Sequence, residues 1–399
     1  MKCLNLRQNL GYSLVFVGIS TSMFLNYFFQ NIHWTPIVML LSCLLLCDKT
    51  TFNGKTRMNK TFKCIVVFQI IMLIYLFLYF NDISQNNIAK QLSFHLYILT
   101  LAFVLMRTPS LKERNFIPLL TVLSSLLALL SAFCHLEGLI ELERMLYQEN
   151  AILEIFTCNI PAFISFCCCI LQIKSNRPIL CFFLICAIII DLYVIMQSGK
   201  RSYYISTLIV GAIYLYKTKK LKQGLLLVFG LFFLMVTFIP EVRDMTSLLF
   251  ERTIDGITKV YGEHKTTIVD WDDSASIRAW SQREAIKKLE SFNLFQYLFG
   301  GGYLYHFFDN PLGESYIDMG IIGLCFYFYL IVIIPLKFYF KVSLQETRGM
   351  LCFFVSLMAI TIILFNNDPY TYSQYTPLCM MALFSYKSDY IRYQKDKRL

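Results

Sequence analysis

Apolar residues in this chain come in long runs, and the polar residues are concentrated in the connectors between them. About 20 apolar residues in helical conformation span the roughly 30 Å hydrocarbon core of a bilayer. Twelve stretches approach that length, near 11–30, 33–47, 64–80, 92–106, 116–135, 152–173, 178–197, 202–216, 223–239, 314–336, 350–366 and 375–386. The pattern predicts an all-α fold, a polytopic membrane bundle of about 12 transmembrane helices. No small-residue cleavage site follows the first stretch, and Trp34-Thr35-Pro36 leads straight into the second. The first is therefore expected to be a retained span.

One segment interrupts the rhythm. Residues 240–313 form a long, charge-rich connector. Connectors of that length in compact proteins are usually functional or disordered, and this one carries helical patterning. Between Ser276 and Phe299, Ile277, Trp280, Ala285, Ile286 and Leu289 recur at roughly helical spacing, with Arg278, Arg283, Lys287 and Lys288 interspersed. This predicts an amphipathic helix lying on the outer membrane surface with Trp280 near the interface, stopped by Gly300-Gly301-Gly302. The expected organisation is nine transmembrane helices over residues 1–239, a large external loop over 240–313, and three further helices with a cytoplasmic tail over 314–399.

Composition agrees with a lipid environment. Of 399 residues, 57% are hydrophobic and only 16% are charged, against about 25% charged in soluble domains. A soluble enzyme, a disordered chain, a collagen and a disulfide scaffold are all excluded. The net charge is +10, and its placement matters more than its sign. Alternate connectors hold Lys49, Lys55, Arg57, Lys60 and Lys63, then Arg107, Lys112 and Arg114, then Lys174 and Arg177, and so on to the C-terminal tail. That side carries 24 of the 36 Lys and Arg, whereas the short connectors opposite carry only Lys90, Arg144, Lys200 and Arg201. This bias places both termini in the cytoplasm. It also argues against nucleic-acid binding, because the basic residues are dispersed among connectors instead of forming one patch.

The fourteen cysteines lie mostly inside spans, as in Cys167-Cys168-Cys169, and none falls within 240–313. They read as small apolar packing residues. No Cys or His spacing suggests a metal site, and no cofactor is called for. Asp270-Trp271-Asp272-Asp273 matches a metal-holding DxD pattern of sugar-nucleotide transferases. Those enzymes need a large soluble nucleotide-binding domain for which the chain has no room, so a solvated acidic turn is the better reading. Asp191 and Glu154 lie within or at the edge of spans, and the sequence does not fix which way they point.

Polar groups gather in three places on the outer side. Ser198-Gly199-Lys200-Arg201-Ser202 is a tight turn whose two cations break the local charge rule; Arg201 and Lys200 there suit a phosphate, which a planar guanidinium grips with two hydrogen bonds. Snorkelling to headgroups is the alternative for both. Arg278 and Arg283 lie on the expected surface helix, where a merely solvated charge is the alternative and, for Arg283, the favoured reading. Tyr303 to Gly323 holds His306, Asp309, Glu314 and Asp318 at the mouth of a span, where acids are costly unless paired or wet. Helix capping by Asp309 or Glu314 is the alternative there, and His306, alone among aromatics, suits a structural role.

Taken in order, these residues resemble the O-antigen polymerase and ligase superfamily of bacterial envelope enzymes (Wzy-type polymerases and their ligase relatives). Ser198–Ser202 is similar to that family's SGSR turn. Arg278-Ala279-Trp280 followed by Leu298-Phe299-Gly300-Gly301-Gly302 is similar to its Arg…Trp…G-x-G run. Asp309-Asn310, with Gly320-Ile321-Ile322-Gly323 following eleven residues on from Asp309, is similar to its HN or DN segment before GxxG. The likeness covers about residues 190–335. Ligase members usually have His where this chain has Asp309, which favours a polymerase and leaves His306 out of register.

The resemblance implies a substrate, an oligosaccharide repeat unit on undecaprenyl diphosphate. It also implies a reaction on the outer face of the bacterial inner membrane, passing the growing glycan to the next lipid-linked unit. A diphosphate leaves without needing a proton, so fixed cations that stabilise its charge suffice, with no metal. Arg201 and Arg278 take that role, and Lys200 and Arg283 add binding charge. Asp309, then Glu314, is the expected base for the attacking sugar hydroxyl. A single displacement inverts the anomeric centre. Tyr261, Trp271, Trp280, Tyr303 and Tyr305 are candidates for an aromatic sugar-binding vestibule, with His306 beside them. Expected partners are the lipid bilayer, a chain-length regulator and a flippase of the same pathway. The competing readings are a ligase of the same superfamily and a lipid-linked oligosaccharide flippase.

Overall fold

In a computed structural model the described residues are 2–29, 33–47, 59–79, 85–107, 116–136, 155–173, 177–198, 201–218, 274–305, 310–342, 346–365, 370–372 and 374–384, with single positions at 237, 243 and 247. Among them the secondary structure is helical throughout, with no strand. The elements in chain order are α1 (Lys2–Phe28), α2 (Trp34–Leu46), α3 (Lys60–Leu78), α4 (Gln85–Arg107), α5 (Ile117–Leu136), α6 (Ile155–Gln172), α7 (Pro178–Gln197) and α8 (Arg201–Lys217). They are followed by α9 (Ser274–Glu290), α10 (Leu294–Phe299), α11 (Pro311–Phe328), a π-helical turn (Tyr329–Ile333), α12 (Ile334–Lys341), α13 (Thr347–Phe365) and α14 (374–384).

Eleven of the twelve apolar stretches fall on these helices; the ninth, 223–239, lies outside the described residues apart from position 237. Among the described residues, five helical segments are both long and apolar enough to cross a bilayer: Lys60–Leu78, Ile88–Arg107, Ile117–Leu136, Pro178–Gln197 and Pro311–Lys341. The chain is thus a helical protein with membrane-spanning segments.

Local chemistry sets the helix ends. Asn59 caps α3 by accepting from the Phe62 N–H, and Pro178 opens α7 at a position where a missing N–H costs nothing. The π turn precedes Pro335, whose ring cannot sit over a carbonyl four residues back. The Ile334 N–H reaches instead to the Tyr329 carbonyl, five residues back, which widens one turn without ending the span.

The bundle is held by small and polar residues at close helix contacts. α5, α6 and α7 pack on one another, α1 packs on α2, α5 and α6, and α13 packs on α6 and α8. At the α5–α6 contact Ser125 meets Ser165, and Gln172 donates to Thr121. Ser206 on α8 meets Thr361 on α13. Cys167, Cys168 and Cys169 are fully buried among these helices. Asp191 on α7 also points inward, completely buried, within electrostatic reach of Ser165, Cys167 and Cys169 on α6; Glu154 lies outside the described residues. Apolar side chains such as Ile74, Phe77 and Phe182 cover the outside of the bundle, the expected inversion for a chain solvated by lipid.

The amphipathic segment departs from the expected continuous helix. Residues 274–299 form two helices separated at Ser291–Asn293. Asn293 accepts from the Gln296 N–H, and the Gln296 side chain accepts from the Asn293 N–H, a reciprocal cap that starts a new helix. The sequence periodicity carries across this joint and hides it. Gly300, at φ 85°, ends the second helix, as the three-glycine run predicts.

Candidate functional site

The candidate site forms where the connector between α10 and α11 folds back onto the start of α11. Helix α11 is broken at Gly320, whose φ of 66° and ψ of −167° are open to glycine and strained for other residues. The break frees carbonyls that an intact helix would use internally. The loop supplies their donors: the Gly301 N–H donates to the Ile317 carbonyl at 2.7 Å, and the Gly302 N–H to the Asp318 carbonyl at 3.2 Å. Approach is so close that a Cβ on Gly300 would overlap the Asp318 carbonyl, and one on Gly320 would overlap the backbone of Leu298. The two glycine motifs are therefore two halves of one backbone clasp, in which carbonyls freed by the break are paired with loop N–H groups.

The clasp is tied to α3 and α9. The Tyr75 hydroxyl donates to the Phe299 carbonyl at 2.7 Å, and the Tyr79 ring packs against Gly302. Ala285 of α9 and Phe292 are buried against Ile317 of α11, with Leu289 alongside. The helix that carries Arg278 is thus docked on the helix that carries Glu314 and Asp318.

Beneath the clasp lies a buried polar network. The Asp318 carboxylate accepts from the Tyr305 N–H through Oδ1 and from the Tyr370 hydroxyl through Oδ2, both at 2.9 Å. The Tyr370 ring stacks on Tyr303 with centroids 5.1 Å apart. The Tyr303 hydroxyl donates to Gln91 Oε1 at 3.0 Å and lies 2.7 Å from His95 Nε2, while His95 Nδ1 lies 2.5 Å from Gln69 Oε1. A phenol has one proton. Gln69 Oε1 can only accept, so a neutral His95 carries its proton on Nδ1, and Nε2 and Gln91 Oε1 both face the single phenol proton. These contacts link α3 and α4 to the clasp. Asp318, His95 and Gln69 are completely buried, and Glu314 nearly so, close enough to Tyr370 to act on it electrostatically.

Glu314 lies in the first turn of α11, next to the network. Asn310, not Asp309 or Glu314, caps this helix, accepting from the Leu312 and Gly313 N–H groups. Tyr303 belongs to the network; it is buried inside the bundle and does not line an open vestibule, because its hydroxyl finds both partners there. Tyr305 is the exposed member, with Lys288 Nζ 4.8 Å above its ring. Trp280 is half-buried on α9, and Arg283 is exposed on the same helix. Arg278 sits in the second turn of α9 and Arg201 is the first residue of α8, both described in backbone only. Lys200, Tyr261, Trp271, His306 and Asp309 lie outside the described residues.

Sequence reasoning missed Gln69, Gln91, His95 and Tyr370. A signal was present: Gln69 interrupts an otherwise apolar run, and Gln91 and His95 are four apart, on one helix face. Polar residues inside spans mark buried partners or function. Among the described residues no group of His, Cys, Asp or Glu has metal-binding geometry. Comparison with protein-family models and with curated proteins finds no match for this chain.

Proposed function

We propose that this protein polymerises undecaprenyl-diphosphate-linked oligosaccharide repeat units, for O-antigen, capsule or another exopolysaccharide, on the outer face of the bacterial cytoplasmic membrane. The reading includes about twelve spans with both termini cytoplasmic. The observation that carries it is the clasp. Three of the segments that carry the resemblance, all within residues 278–323, fold onto one another: the Arg278 helix, the Gly300–Gly302 turn and the Glu314–Gly323 helix start. Chain direction supports the same reading. Counted as crossings from a cytoplasmic N-terminus, α3 and α7 run outward. The end of α3, which holds the clasp, and the turn before Arg201 then share the outer face with the start of α11.

The chemistry follows from the leaving group. The donor glycan leaves its carrier diphosphate as the acceptor sugar hydroxyl attacks the anomeric carbon and inverts it. Charge grows on the diphosphate, and Arg201 and Arg278 stabilise it; Lys200 and Arg283 contribute to binding. A carboxylate at the head of α11 takes the hydroxyl proton. Asp309 directly precedes the cap residue Asn310, and Glu314 stands in the first turn, where the helix dipole favours negative charge. Asp318 is a weaker candidate for the base, because both its oxygens already accept hydrogen bonds.

Arg201→Ala and Arg278→Ala test this assignment. Each should lower polymerisation by about 10²–10³ in rate, the usual loss for one charge-stabilising contact, at unchanged protein level. Full-length glycan from both variants would refute it.

A further inference from the structure

Helix α10 has no buried residue. Its side chains are nearly all large and apolar, and Leu294 is 78% exposed and Phe295 66% exposed. Leu298 and Phe299 are exposed as well. In water such a surface is costly, so the question is what covers it. Its position answers. The Tyr75 hydroxyl fastens the last residue of α10 to the end of α3. On α3, Ile70, Ile74, Phe77 and Leu78 form an exposed apolar strip, the surface a spanning helix turns to lipid. Ile321 and Ile322, just past the Gly320 break in α11, are exposed too. The apolar surface of α10 is therefore continuous with the lipid-facing surface of two membrane-spanning segments. Just before it, α9 ends with Lys287 and Lys288, and Arg283 is exposed one turn earlier. The reciprocal cap at Asn293 separates the charged helix from the apolar one.

We infer that α10 is seated in the bilayer, its Leu294, Phe295, Leu298 and Phe299 side chains among the upper acyl chains and the α9 cations at the phosphate level. The docking partner is the lipid leaflet itself, and the anchor holds the glycine clasp at the membrane boundary. This assignment stands whatever reaction the site performs.

The test uses the full chain reconstituted in phosphatidylcholine and phosphatidylglycerol vesicles. Phe295→Trp should add emission with a blue-shifted maximum. Most of that added emission should be lost with phospholipids brominated near the headgroup end of the acyl chain, and little with aqueous acrylamide. Quenching by acrylamide alone would place α10 in water. Protection from both quenchers would mean that protein, a partner or a second copy, covers it. Either result overturns the inference. The unmodified protein gives an answer independent of the substitution: a phospholipid carrying a photoactivated carbene source high on its chain should label residues 294–299, and absence of label there would refute the seating.

Discussion

His95 shows how much one side chain can hold in a lipid-embedded bundle. It joins Gln69 of α3 to Tyr303 of the clasp with both ring nitrogens engaged and no surface exposed. A buried polar group that loses its partner costs about 1–3 kcal/mol. His95→Phe, which orphans Gln69 and weakens the hold on Tyr303, should therefore lower the melting temperature in detergent clearly. Tyr303→Phe should do so too, since it leaves His95 and Gln91 facing a ring without a hydroxyl. His95→Gln keeps a donor and an acceptor and should lose less than His95→Phe. Equal melting of all four proteins would show that the network contributes nothing. At this scale the sequence was only partly legible. Glu314 could be placed at the head of a span from its position alone. Tyr303 could not, because aromatic residues near a glycine turn suit an open sugar-binding wall and a buried stack equally well until the partners are known.

Among the elements, the clasp between the Gly300–Gly302 turn and the broken α11 is the feature with the sharpest consequence. A side chain at Gly320 must adopt a strained backbone, at about 1–3 kcal/mol, and also push the Leu298 backbone away. Gly320→Ala should lower folded yield and melting temperature and weaken activity together. Gly211, inside α8 with open space around it, is the control. Gly211→Ala should be neutral or stabilising by up to about 1 kcal/mol. If the two substitutions behave alike, the clasp does not carry the fold. Most helices were legible because span length is a strong constraint. The Gly300 stop was legible for the same kind of reason, since three glycines cannot continue a helix. The joint at Ser291–Asn293 was not, because a cap made by Asn293 and Gln296 looks like ordinary polar surface on a helical wheel. The break at Gly320 was not legible either, since what stabilises it lies twenty residues away in the loop.

On the scale of the whole molecule, apolar composition and alternating charge define a membrane protein, and the clasp adds a meeting point for distant segments. Orientation makes a separate prediction: a reporter enzyme fused after Ser274, at the start of α9, should be active only outside the cytoplasm, and a cytoplasmic signal would invert the topology. The proposed reaction is tested most directly by deleting the gene and resolving the surface glycans on a gel. Loss of a polymerase should leave an acceptor that carries one repeat unit and no ladder. Long chains stranded on the lipid carrier beside unmodified lipid core, or single units trapped inside with nothing exported, would contradict it and identify a ligase or a flippase instead.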